Sequence, residues 1–243
     1  GLSTASFEGL AEEYVKKGFR VVLVDLPNFG YSSRETTDTN IVEREDLVSA
    51  LIDELGGKWV LGGHSMGGGV AANVAIEKED KVTGLVLFAP QTSQPQSPFV
   101  AAIMRSPAIR TVFDIVIKIG TQSDFLMRTL VEMSFSDSEY AKNYDISRIS
   151  KPLQINGTGA GMAIMASHAQ GTNIEKFSEL KIPMVIVKTT NDKVANADNL
   201  NALVNSGAEN LEVVTFEEGG HMYMEYAPES ACEATYKTIL KAF

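Results

Sequence analysis

Five short apolar runs do most to limit what this 243-residue chain can fold into. They are "FRVVLVD" (19–25), "KWVLGG" (58–63), "KVTGLVLFA" (81–89), "PMVIVK" (183–188) and "LEVVTF" (211–216). Each is short and rich in β-branched residues, and most are apolar almost throughout. That pattern suits a strand buried on both faces of a parallel sheet. Helical periodicity fills the gaps. Residues 5–17 place Phe7, Leu10, Ala11 and Tyr14 on one face and stop at Gly18. Residues 41–55 align Leu47, Val48, Leu51, Ile52 and Leu55, with Gly56 as the terminating glycine. A last helix starts near Pro228, a good first-turn residue, and runs to about 242. The alternation predicts an α/β domain with a mostly parallel, doubly wound sheet.

One stretch departs from it. Residues 91–180 hold no convincing strand: "QTSQPQSP" is a loop, and 99–120, 123–134, 137–143 and 160–169 read as helices. We expect a core from 1–90 and 181–243, with 91–180 inserted over the sheet. "NGTGAGMA" (156–163) has the glycines of a dinucleotide loop but no solid strand before it, and reads as a loop into a helix.

The net charge of −10 disfavours nucleic acid and anionic surfaces, which need clustered Lys and Arg. Cys232 is the only cysteine, so no intrachain disulfide can form, in keeping with a reducing compartment. No apolar run reaches transmembrane length and no signal-like segment opens the chain. The expectation is a cytoplasmic protein without a membrane span, for which a homodimer is compatible.

"VLGGHSMGGG" (60–69) puts five glycines and one serine into ten positions beside an apolar run. Glycine inside a regular element costs backbone entropy, so this concentration needs a reason. Gly63-His64-Ser65-Met66-Gly67 is G-x-S-x-G between a strand and a helix, the setting of a nucleophile elbow. Its serine sits on a sharp turn, so the residues two positions away must be small. The turn lifts the hydroxyl above the carboxyl ends of the strands, where open α/β sheets bind ligands. The helix opening at Met66 aims its first N–H groups at an anion.

A serine hydroxyl needs a base, and the base an orienting group. Of three histidines, His64 adjoins the serine and should point away as a structural residue, while His168 falls within the inserted helices. His221, in "EEGGHMYME", follows the last strand and is the candidate base. The acid should lie between serine and histidine in chain order. Asp192, in the loop after "PMVIVK", can hold the imidazole Nδ1–H. The preceding strand ends "FAPQTSQ", with no acid.

With these residues the chain resembles the α/β-hydrolase superfamily over essentially its whole length, in the branch of esterases and lipases with a helical lid. The resemblance rests on GHSMG, "VDLPNFGYSS", "TTNDKV" and "GGHMYMEYAPE". The second usually reads D-x-x-G-x-G-x-S; here Asn28 takes the first glycine position, and Asn tolerates left-handed backbone nearly as well. The resemblance implies a catalytic triad Ser65, Asp192 and His221, with Met66 N–H in the oxyanion hole. If Gly1 matches the family glycine, Leu2 N–H is the second donor. It also implies a strand between those at 19–25 and 58–63, preceding the first helix. We therefore expect three N-terminal strands, one of them central, to lie outside these residues or to come from another segment.

The implied chemistry is hydrolysis of carboxylic esters of small or medium acyl or aryl groups through an acyl-enzyme, with no metal or organic cofactor. Adaptable Met104, Met127 and Met165 with Phe113 in the lid, and Met222 beside the base, are the candidate substrate contacts. Two alternatives stand. The same triad serves thioester or C–C hydrolysis, acyl transfer or perhydrolysis, or the fold serves as a ligand-binding sensor. Dehalogenases and epoxide hydrolases of this fold use an Asp nucleophile, and Ser65 argues against them.

Overall fold

The computed structural model describes residues 3–37, 41–92, 97–169 and 171–243. A 3₁₀ turn (Thr4–Phe7) leads into α1 (Glu8–Lys16), and α2 (Arg44–Leu55) ends at Gly56, whose φ is 66°. Then β1 (Trp59–His64), α3 (Met66–Glu77) and β2 (Val82–Phe88) follow. Seven helices separate β2 from the next strand: α4 (Pro98–Arg105), α5 (Pro107–Gly120), α6 (Asp124–Phe135), α7 (Ser138–Asn143), α8 (Ser147–Leu153), α9 (Thr158–Ser167) and α10 (Ile174–Glu179). The chain closes with β3 (Met184–Thr189), α11 (Ala197–Val204), β4 (Leu211–Phe216), α12 (Tyr223–Tyr226) and α13 (Pro228–Leu240).

The four strands form one parallel sheet in the order β1-β2-β3-β4. Side chains alternate across it, as the pleat requires. Val86, Phe88, Val185 and Val187 pack with Leu10 of α1 and Ala231, Cys232 and Ile239 of α13. Leu85, Leu87, Met184 and Ile186 pack on the opposite face with Ile52 of α2, Val70 and Val74 of α3, Phe177 of α10 and Leu203 of α11. Both faces are thus covered, and the apolar runs are near-continuous because every position of these central strands except Thr83 and Lys188 is buried.

Two expectations need correction. Among the described residues the run 19–25 forms no regular element and joins no sheet. Val22, Leu23 and Val24 stay 38–40% exposed. An apolar cleft of about 620 Å³ lies beside β1, lined by Val21 and Val24 of this segment, Val60 and Leu61 of β1, Leu10 of α1 and Leu51 of α2. A strand is defined by its partners, and among the described residues this segment has no ladder partner. The single helix expected over 99–120 is two. Pro107 starts α5, and Ser106 before it is extended at ψ 129°, because the proline ring drives the preceding residue out of the helical region.

Candidate active site

At the end of β1 the chain turns into α3 through Ser65, whose φ of 53° and ψ of −124° are foreign to an ordinary side chain. Packing holds it there. Ser65 N donates to the Phe88 carbonyl at 3.0 Å, and its own carbonyl accepts from Gly68 N and Gln91 N, each at 2.9 Å. Three neighbouring glycines are steric requirements, whereas Gly67, expected to have to be small, has open space where a Cβ would lie. A Cβ on Gly63 would overlap the Gly67 carbonyl, one on Gly68 would lie 2.8 Å from Pro90 Cβ, and one on Gly69 2.6 Å from the Gln91 carbonyl. The strained serine is over-determined, the condition under which such strain persists at functional sites.

The loop after β4 carries the base. Gly219 and Gly220 have φ of 94° and 59°, and a Cβ on Gly220 would press on the backbone of Ser134 and Phe135 in α6. Gly220 is anchored at both ends. Thr189 Oγ1 donates to its carbonyl at 2.9 Å, and its N–H donates to Asn191 Oδ1 at 3.0 Å. His221 follows, buried, with Nδ1 2.8 Å from Asp192 Oδ2. The other Asp192 oxygen accepts from Val194 N and Ala195 N, each at 2.8 Å. Burial pushes the Asp192 carboxyl up, but His221 and the two amides outweigh it and hold the group below the usual carboxylate range. It is therefore an anion at neutral pH, able to orient an imidazole and stabilise its cation.

Asp192 and His221 thus meet, 29 positions apart in sequence. Ser65 lies on the same rim through its neighbour. The His64 ring stands 4.5 Å from the His221 ring, and His64 Nε2 lies 2.9 Å from the His221 carbonyl. Among the described residues no hydrogen bond joins the Ser65 hydroxyl to the His221 ring. In sites without substrate that contact is commonly long and tightens on binding. His64 points to the histidine loop rather than away from the site, a role the sequence did not disclose. Its only local signal is a polar side chain where a strand would carry an apolar one.

Met66 is the first residue of α3, so its N–H has no intrahelical acceptor and stands beside Ser65. Leu2 lies outside the described residues. His168 caps the end of α9, its Nε2 buried without a partner and bonded to none of Ser65, Asp192 and His221. Of the candidate substrate contacts, Met104, Phe113 and Met165 retain exposed surface. Met127 and Met222 are buried, Met222 among the apolar residues between the sheet, α1 and α13. Among the described residues no group of three or more His, Cys, Asp or Glu side chains is placed to hold a metal, and no helix is long and apolar enough to cross a membrane.

Comparison with known proteins adds a family. The sequence model of a family described as the alpha/beta hydrolase fold matches residues 1–228. A pimeloyl-[acyl-carrier protein] methyl ester esterase of Legionella pneumophila is 27% identical over 209 residues, covering 86% of this chain and 79% of that protein. A 2-hydroxy-6-oxononadienedioate/2-hydroxy-6-oxononatrienedioate hydrolase of Burkholderia vietnamiensis is 26% identical over 210 residues, covering 80% of this chain and 67% of that one. Among solved structures, a thermophilic esterase from Thermogutta terrifontis superimposes with a TM-score of 0.75 at 22% identity, covering 99% of this chain and 86% of the other.

Proposed function

The chain belongs to the α/β-hydrolase fold family and is a hydrolase, and from that premise we propose that it cleaves carboxylic esters with Ser65 as nucleophile, His221 as general base and Asp192 as the group that orients it. One observation carries this reading: the 2.8 Å contact between His221 Nδ1 and Asp192 Oδ2, held on the rim where Ser65 occupies its strained turn. Asp192 fixes the tautomer that leaves His221 Nε2 free to accept the Ser65 proton. The serine oxygen attacks the ester carbonyl, and the negative charge moves to the carbonyl oxygen. Met66 N–H stabilises that oxyanion, and Leu2 N–H is its proposed companion. Losing one such donor raises the barrier by about 2.7–4 kcal/mol. The tetrahedral adduct collapses, His221 returns the proton to the departing alcohol, and water repeats the sequence on the acyl-enzyme.

We take the substrate to be an ester with a small or medium acyl or aryl group; that a relative named as a methyl ester esterase matches most of this chain supports ester cleavage. We assign 91–180 as a lid that shapes the acyl side of the pocket, with Met104, Phe113 and Met165 as its accessible apolar contacts. Met127 and Met222 are buried and are not proposed as direct contacts. The Burkholderia relative supports a second reading in which the triad cleaves a C–C bond of a dicarboxylate.

A fluorophosphonate probe tests the nucleophile. We expect a covalent adduct on Ser65 and none on Ser65→Ala; absence of an adduct on folded protein would favour the sensor. p-Nitrophenyl esters of rising chain length, assayed beside acyl-CoA and β-diketone substrates, test the bond cleaved. The ester reading requires that the esters be turned over fastest.

A further inference from the structure

The hydrogen bond from His64 to the His221 loop spans 157 positions of sequence and lies one residue from the nucleophile. A carbonyl can only accept, so His64 Nε2 carries the proton and donates it. We propose that His64 is a positioning residue for the catalytic base, a donor that clamps the His221 carbonyl and thereby sets the distance from His221 to Ser65; the inference rests on the serine hydrolase reading above.

Three contacts hold the segment that presents the base. Thr189 and Asn191 grip Gly220 from the end of β3, and His64 grips the His221 carbonyl from the end of β1. Of these three, only His64 comes from the strand that carries the nucleophile. It therefore ties the nucleophile strand directly to the base, where Thr189 and Asn191 tie the base to the strand of the acid. The edge-on contact of the two imidazoles, at 62° and 4.5 Å between centroids, adds a steric limit to rotation of the His221 ring. The clamp is also insensitive to pH across the working range. Burial, and then the neighbouring His221, push the His64 imidazole down to about 3, with Asp192 acting in the opposite sense. His64 thus stays a neutral donor while His221 takes up and releases its proton.

The test separates positioning from packing. His64→Gln supplies an amide Nε2–H at similar reach, whereas His64→Phe fills the space and cannot donate. On a p-nitrophenyl ester, His64→Phe should lose about tenfold to a hundredfold in kcat, the size expected for a displaced catalytic group, with KM within about twofold of the parent. His64→Gln should restore kcat. A second readout needs no turnover: the strongly deshielded His221 Nδ1–H resonance should persist in parent and His64→Gln and broaden or vanish in His64→Phe. If both variants lose kcat equally, or if His64→Phe keeps kcat and the resonance, the proposal is wrong. A parent protein that shows the resonance but neither turns over esters nor labels at Ser65 would sink the hydrolase reading and leave the clamp standing.

Discussion

At the scale of single residues, charge and backbone strain meet on one rim. Ser65 is held at positive φ by close packing, and Asp192 is held ionised by one imidazole and two amides. Replacing Asp192 by Asn keeps the shape but presents an amide N–H or a neutral oxygen to His221, which loses both the anion and the favoured tautomer. We expect kcat to fall by about 10⁴-fold with little change in melting temperature, measured with the best p-nitrophenyl ester. Stability should also depend on pH in a defined direction. His64 and Asp192 both have folded pKa values below their ordinary ones, near 6.5 and 3.9. Their contributions are therefore complete above those ordinary values and are lost as pH falls, because the unfolded chain then binds more protons than the folded one. His64 acts first, from about pH 6.5 down toward 3, with a slope of at most about 1.4 kcal/mol per pH unit. Urea unfolding at stepped pH checks this. His64→Gln, which cannot titrate, should flatten the curve between pH 6 and about 4, and an unchanged slope would refute the assignment.

Elements are placed by a few close approaches, and these show what was legible beforehand. Four of the five apolar runs are strands: β2 and β3 are buried almost throughout, whereas β1 and β4, at the ends of the strand order, keep exposed positions. The elbow was legible because Gly63 and Ser65 sit at a spacing that one local geometry demands, although a Cβ on Gly67 would meet open space. Asp192 and His221 followed from chain order after strands. By contrast, α8, α10 and α11 are six to eight residues long, too short for a period to emerge, and α8 carries Pro152. The contact of His64 with His221 was illegible because nothing in a strand residue's neighbours says what lies 157 positions away. The packing of α5 on α9 is of the same kind. A Cβ on Gly159 would overlap the backbone of Phe113 and Asp114 in α5, and Gly159 N donates to Asp114 Oδ1 at 3.1 Å. Gly159→Ala gains about 1 kcal/mol of helix propensity but must push a whole helix aside, an overpacking cost of about 1–3 kcal/mol. We expect a lower melting temperature and an altered KM for longer acyl esters, because α5 carries Phe113. Gly120→Ala, with open space around it, is the control and should leave both unchanged or raise stability slightly.

At the scale of the molecule, the two apolar layers close tightly over β2 and β3 and loosely at β1. There, among the described residues, the sheet pairs on one side only, and the segment 19–25 borders the cleft beside it without joining the sheet. Strands in a sheet lie about 4.8 Å apart, so one strand seated between two others spans roughly twice that distance. Segments such as these, apolar, β-branched and open along their backbone edges, accept an added strand through main-chain hydrogen bonds. Amide exchange should then report the asymmetry directly. The amides of 20–24 should exchange far faster than those of Val185–Val187, which sit in a ladder with strands on both sides. Protection at 20–24 equal to that of β3 would mean that the segment is already paired in solution. A peptide rich in Val and Ile should slow exchange at 20–24 and in β1 together, because a strand between them satisfies both edges. A small apolar dye should enter the same cleft and slow neither, since it fills volume without offering a donor or an acceptor. If the dye protects as well as the peptide does, the cleft is an apolar pocket and not a seat for a strand.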